Sequence, residues 1–330
     1  MSKAATLQSE KPWLWWTLAA AFALVPVVLL LVPLPIGGRV GPSLGNMCHG
    51  PLFACLTIVG IWLWNARTPP SGTAGFWRAC IVAALLTLAG AGMEFVQAFF
   101  GRTPSIHDGL ANAFGAFASV GGFIARSSRT ATRRVLGLIS MITLIGWTWK
   151  APIASIADHY QHPREWPTID SFERAAGLER WYTAQHKMIR KRGIDGVTEG
   201  QYAAQILFEE GERGWVTLFE FRSDWIDFDT FELDATLPHG IDDASIAIQL
   251  VSKSSKTDEL AVARKDFELF AGQTETLKLP YLTSSKDSSD VGAPALRADR
   301  MMYVDIHWIS KFPGSVVLDN LRLSSTNPSN

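Results

Sequence analysis

Five apolar stretches, near residues 13–33, 46–64, 76–98, 106–125 and 135–155, fill the first part of this chain. Each approaches the roughly 20 residues that a helix needs to cross a bilayer. Charge gives the stretches an orientation. Residues 1–150 hold 11 Lys and Arg against three acids, Glu10, Glu94 and Asp108, whereas residues 151–330 hold 19 against 28. With the N-terminus in the cytoplasm, the inner loops carry Lys3, Lys11, Arg67, Arg78, Arg126, Arg129, Arg133 and Arg134, and the outer loops only Arg39 and Arg102. That bias favours cytoplasmic residues 1–12, five spans within 13–155 and an extracytoplasmic C-terminal half, in an inner-membrane protein. Pro26, Pro33 and the lack of a small-residue cleavage site make the first stretch a retained helix rather than a signal peptide.

Ionisable groups inside such stretches cost about 2.5–3.5 kcal/mol each on insertion scales, so they mark function by default. Glu94 and Gln97 share a helical face, as do Asp108 and Asn112, with Arg102 in the turn between them. Each has a structural alternative. Ser105 and Asp108 fit a capping box, Asn112 and Gln97 suit interhelical hydrogen bonds, and Glu94 suits an ion pair with Arg102. His49 beside Cys48 offers two potential metal ligands without a third, so an interhelical histidine with no metal is expected. Glycine and small residues at Ala89–Gly92, and at Ala111, Gly115 and Ser119, favour close packing of the third and fourth spans.

These residues, Glu94-x-x-Gln97, Arg102, Ser105-x-x-Asp108, Asn112 and Gly115 with His49, resemble the VanZ-like family of polytopic membrane proteins over about residues 30–125. Gly45 and Asn46 stand where members often show an Asp-Lys pair. The resemblance implies a cell-envelope protein and supplies no reaction.

Past residue 156 the period changes from helical to alternating. Strands are expected at 203–208, 215–221, 230–237, 245–251, 267–270, 274–279, 302–309 and 315–323. Alternation is plain in Phe231/Leu233/Ala235, Ile246/Ile248/Leu250 and Val304/Ile306/Trp308. The pattern predicts an all-β sandwich at 166–323 after a linker at 156–165, with a disordered tail at 324–330. All three cysteines precede it, so it must rest on its apolar core. The whole is therefore an all-α transmembrane bundle of five helices followed by an all-β sandwich.

The landmarks Asp170–Glu173, Trp181, Thr198–Gly200, Asp224-Trp225, Phe228, Phe231, Phe270–Gln273, Leu277–Pro280 and Val317–Leu323 resemble jelly-roll domains of the galactose-binding-like superfamily, which include many carbohydrate-binding modules. The resemblance implies an envelope glycan, or a partner bearing one, as ligand. Stacking on sugar C–H faces needs an exposed aromatic, for which Trp166, Trp181, Trp215 and Trp225 are candidates, with core filling as the alternative for each. Asp319 is a candidate for a structural Ca²⁺ or, alternatively, for a hydrogen-bonded turn.

Neither a G-x-S-x-G, an H-E-x-x-H nor a P-loop occurs, and the basic clusters do not suit nucleic acid. Three readings stay open. The first is a glycan-binding protein whose membrane part anchors it or senses its occupancy. The second is an enzyme or carrier for a lipid-linked glycan, with Glu94 as acid/base and Arg102 holding an anionic head group oriented by Asp108 and Asn112. The third is a passive scaffold.

Overall fold

The computed structural model describes residues 17, 38–67, 73–99, 105–183, 186–208, 214–241, 244–253, 260–281, 296–309 and 313–325. The stretch expected as a first helix, apart from Thr17, lies outside this set, as do Arg102 and residues 326–330 of the expected tail. The chain divides into two compact units, Met1–Ile156 and Ala157–Asn330.

The first unit contains α1 (Val40–Arg67), α2 (Ala74–Ala98), α3 (Ile106–Ser127) and most of α4 (Ala131–Gln161). Helix α3 starts where the Ser105 side chain accepts the Asp108 N–H, and it carries Asp108 in its first turn and Arg126 in its last, matching the helix dipole. Small residues set the crossings. A Cβ on Gly115 would lie 2.0 Å from the Gly50 carbonyl oxygen, so only glycine lets α3 lie so close to α1 there. Ser119 Oγ donates to the Ala54 carbonyl of α1 at 2.7 Å. The small-residue stripe of α3 thus also faces α1, and not α2 alone; Gly90 of α2 packs against Phe53 and Asn112. Three of the described helices, α1, α2 and α4, are long and apolar enough to cross a membrane.

The expected linker, 156–165, begins where the two units divide. Residues 156–161 continue α4, and His162–Glu165 form a 3-10 turn.

The second unit is a two-layer sandwich whose ladders are antiparallel throughout the described residues. Its strands are β1 (Thr168–Asp170), β2 (Trp181–Tyr182), β3 (Lys187–Arg192), β4 (Tyr202–Phe208), β5 (Trp215–Leu218), β6 (Thr230–Thr236), β7 (Ala244–Lys253), β8 (Leu260–Leu269), β9 (Thr274–Pro280), β10 (Met301–Ile309) and β11 (Gly314–Ser324). One sheet runs β3-β4-β11-β6-β9, with β1 also on β11; the other runs β2-β5-β10-β7-β8. Between them lies one apolar core, in which Trp225 stacks on Phe231 and Trp308 on Phe208. Strand β8 is ten residues long rather than the four expected at 267–270, and β5 stops at Leu218.

On the outer face of the six-stranded sheet, a bulge in β11 between Asp319 and Arg322 centres on Asn320, whose φ is 49°. It lets both charged side chains point outward while Leu318, Leu321 and Leu323 stay in the core. Gly196, at φ 99°, passes within 2.6 Å of Thr236 Oγ1 as measured from its missing Cβ, so the segment before β4 lies directly on this face.

Candidate functional site

Residues opposite one another in an antiparallel ladder share a face. Tyr182, Thr217, Asp305, Gln249 and Arg264 are successive partners across β2, β5, β10, β7 and β8, so they form one row over the whole five-stranded sheet. A second row is Trp215, His307, Ala247 and Asp266. Tyr303, Val251 and Val262 form a third, joined by Phe219, whose backbone N–H donates to Arg180. The opposite faces of these strands supply Trp181, Val216, Leu218, Ile246, Ile248, Leu250, Val304, Ile306 and Trp308 to the core. The rows therefore point away from it.

This outer face is unusually aromatic for exposed surface. Tyr182 and Phe219 are each 55% exposed and Trp215 is 42% exposed. Their rings are neighbours: Tyr182 to Phe219 is 6.3 Å between centroids, Phe219 to Tyr303 is 6.0 Å, and Trp215 to His307 is 6.5 Å. Thr217, Ala247 and Val251 lie on the same face yet are buried, so a low floor runs between taller side chains. Around that floor stand planar polar groups suited to hydroxyls: the Asp305 carboxylate, the Gln249 amide, the Arg264 guanidinium and the His307 imidazole.

The polar groups are held in different ways. Thr217 donates its hydroxyl to Asp305 Oδ1 at 2.6 Å, which fixes that carboxylate. Arg264 donates to Asp266 at 3.2 Å. His307 Nε2 is buried and has no hydrogen-bond partner among the described residues. Burial lowers the His307 pKa, with Arg264 adding to that and Asp305 and Asp266 opposing it, so the ring is neutral near pH 7. Burial and the Asp305 charge together push the Tyr303 hydroxyl pKa up.

The four candidate tryptophans part company. Only Trp215 lies on this face. Trp181 is buried, its Nε1–H donating to Asp170 Oδ2 at 2.9 Å, and Trp225 is fully buried, its Nε1–H donating to the Arg222 carbonyl. Trp166 is half-buried, edge-on to Phe228 and beneath Arg222. Trp181 and Trp225 are thus packing residues, corrected by their burial, whereas Trp166 is partly buried against the core. Missing from the sequence reading were Tyr182, Phe219, Tyr303, Gln249, Arg264, Asp305 and His307. The signal was available, because core positions 216 and 218 turn 215, 217 and 219 outward, and core positions 304, 306 and 308 do the same for 303, 305 and 307.

The helical cluster is held by hydrogen bonds between helices and at one helix start. His49 Nδ1 and Asn112 Oδ1 are 2.9 Å apart and hydrogen bonded, an interhelical contact between α1 and α3. Glu94 of α2 is buried, and its Oε2 accepts the backbone N–H of Ser105 at 3.1 Å. The helix start is thus capped from two sides: Ser105 Oγ takes the Asp108 N–H, and Glu94 takes the donor that the Asp108 carboxylate would take in a capping box. Asp108 is buried as well. The Gln97 side chain, like Arg102, lies outside the described residues.

Asp319 is fully buried, and its carboxylate accepts the N–H groups of Thr198, Glu199 and Asn320 and the hydroxyl of Thr198. These converging donors latch the segment before β4 onto β11. Among the described residues, no three His, Cys, Asp or Glu side chains are grouped to hold a metal.

No family model matches the chain, and no curated protein matches it. Solved structures do. A family 11 carbohydrate-binding module from Clostridium thermocellum, in complex with a β-1,3-1,4-mixed-linked tetrasaccharide, is 15% identical, with 48% of this chain and 94% of that one covered and a TM-score of 0.36. An exo-β-agarase is 10% identical, covering 49% of this chain and 25% of that one at a TM-score of 0.40. The module CBM28, described as specific for non-crystalline cellulose, is 14% identical, covering 49% and 95% at a TM-score of 0.34.

Proposed function

We propose that this chain is a membrane-embedded glycan-binding protein of the cell envelope, and that its ligand lies across the outer face of the five-stranded sheet. The observation that carries the reading is the run of exposed rings, Tyr182, Phe219 and Trp215, with half-buried Tyr303, beside Asp305, Gln249, Arg264 and His307, whose Nε2 has no partner among the described residues. Exposed rings are unfavourable in water and suit the apolar C–H faces of pyranose units, while the polar groups suit equatorial hydroxyls. The low floor suits a single linear chain.

Membrane residence is supported by the length and apolarity of α1, α2 and α4 and by side chains such as Leu88 and Phe95, each 70% exposed in the helical unit. With the charge bias of the loops, this reading puts the N-terminus in the cytoplasm and the sandwich outside, and the VanZ-like resemblance belongs with it. A periplasmic or extracellular reporter fused after Asn330 tests the orientation; activity only of a cytoplasmic reporter would overturn it. Affinity electrophoresis of the protein through gels containing mixed-linkage β-glucan, xylan or cellulose derivatives tests the ligand class. Retardation by at least one linear polysaccharide, lost in Trp215→Ala, is the expected result.

A second reading has one observation in its favour. Among the described residues Glu94 Oε1 is buried and without a hydrogen-bond partner, as an acid/base awaiting a lipid-linked substrate would be. On that reading Glu94→Gln abolishes the cellular phenotype at unchanged protein level, while polysaccharide retardation persists.

A further inference from the structure

The helical unit contains a groove of about 1010 Å³ between α1, α3 and α4. Its cause is visible in how α4 meets its neighbours. Near one end Trp149 donates its Nε1–H to the Met47 carbonyl of α1 at 3.0 Å, and near the other Gly137 and Gly121 bring α4 and α3 into backbone contact. The twelve residues between Gly137 and Trp149 rise about 18 Å. Over that distance α4 bridges a space that α1 does not fill.

The lining is polarised. Ile58, Trp62, Ile142 and Ile145 make its length apolar, and Asn65 and Arg126 lie at one end. Helices α1 and α3 run parallel, as the His49–Asn112 and Ala54–Ser119 contacts require, so their C-terminal ends are adjacent. Arg126 has no ion pair among the described residues, and Arg129, Arg133 and Arg134 follow it. Asn65 Oδ1 is buried and has no hydrogen-bond partner among the described residues. An amide oxygen without a described partner and a guanidinium without a described ion pair, both lining one end of an apolar slot, suit one molecule with a hydrocarbon tail, an anion and a hydroxyl.

We propose that this groove is a site for an anionic phospholipid of the phosphatidylglycerol type. An acyl chain lies along Ile58, Trp62, Ile142 and Ile145, the phosphate meets Arg126, and a head-group hydroxyl donates to Asn65 Oδ1. The inference rests on the membrane reading above and is independent of the glycan face.

The test uses the full chain reconstituted in vesicles that contain phosphatidylglycerol with a photoactivatable acyl chain, against phosphatidylcholine bearing the same chain. Adducts map by mass spectrometry. Groove residues are expected to label with the first lipid about five-fold more than with the second, the worth of one cation at an anionic membrane surface. Arg126→Gln removes the preference, Arg129→Gln keeps it, and Ile142→Trp, which fills the slot, removes groove adducts altogether. Equal labelling by both lipids, or labelling indifferent to Arg126→Gln and Ile142→Trp, overturns the proposal. So does an efficient disulfide in a Leu24→Cys/Ile142→Cys pair, which would put the chain's own N-terminal segment in the slot. Release of the chain from membranes by alkaline carbonate would instead sink the membrane reading itself.

Discussion

Thr217 and Asp305 face each other across β5 and β10, hydrogen bonded at 2.6 Å on the outer side of the sheet. The bond occupies Oδ1 of the buried Asp305 carboxylate. Thr217→Val keeps the shape and removes the donor. Stability should fall by about 1–3 kcal/mol, the cost of leaving a buried acceptor unsatisfied, and glycan affinity should fall with it. Chemical denaturation and calorimetric titration with a retarding polysaccharide check both; loss of neither would mean that the carboxylate is not engaged.

The exposed rings should separate binding from folding. Tyr182→Ala, Phe219→Ala or Trp215→Ala is expected to weaken polysaccharide binding about ten-fold each, with the melting temperature nearly unchanged. Trp225→Ala is the contrasting case. Its side chain is fully buried against Phe231, Phe221 and Tyr281, and its loss should cost about 3–5 kcal/mol. Equal stability losses for Trp215 and Trp225 would refute the division of the sheet into inner and outer faces.

Acid should loosen the six-stranded sheet. Burial pushes the Glu232 carboxyl up, but hydrogen bonds from Lys278 and Ser324 and the Arg322 charge hold it below the usual carboxylate range. Asp234 is likewise pushed up by burial and held low by Thr276, Thr198 and Arg322. Carboxyls depressed on folding stabilise the fold above their unfolded values, near 4, and that contribution is lost as pH falls through the folded values. Asp319 has the opposite sign: burial raises its pKa, so its protonation on acidification favours the fold. Arg322→Met removes the cation shared by Glu232 and Asp234, at 2.8 and 3.3 Å. A loss of about 3 kcal/mol at neutral pH is expected, together with an acid limb that begins at higher pH. Melting curves from pH 7 to pH 3 that overlay those of the unaltered protein would disprove the coupling.

In the helical unit, Gly115→Leu should prevent α1 and α3 from closing, because the new side chain begins 2.0 Å from the Gly50 oxygen. Gly45→Ala has nothing within 4 Å of its Cβ and should be silent. Thermal aggregation in detergent distinguishes the two.

Much of this architecture could be read from residue order. Phe231/Leu233/Ala235 and Val304/Ile306/Trp308 alternate because one side of each strand meets the core, and those strands were found to within a residue or two. Strand β3, Lys187–Arg192, was missed because four of its six residues are basic and it lies at a sheet edge. Strand β8 was recognised only near its apolar end, since Arg264, Lys265 and Asp266 interrupt its pattern. The binding face was harder. Its rings come from positions 182, 215, 219 and 303, and only ladder register makes them neighbours. Attention to tryptophan alone selected two packing residues, one partly buried and one exposed. Beside the misjudged Trp181 stood Tyr182, pointing the other way by the two-residue period of a strand.

That adjacency has a consequence. Strand β2 is only two residues long, with Trp181 bonded inward to Asp170 and Tyr182 turned outward beside Phe219. A slip of one position would swap indole and phenol, pushing a hydroxyl into oil and an indole into water. Recognition on the surface is therefore guarded by hydrophobic anchoring beneath it, and any change that unseats the anchor should blunt affinity before it unravels the domain.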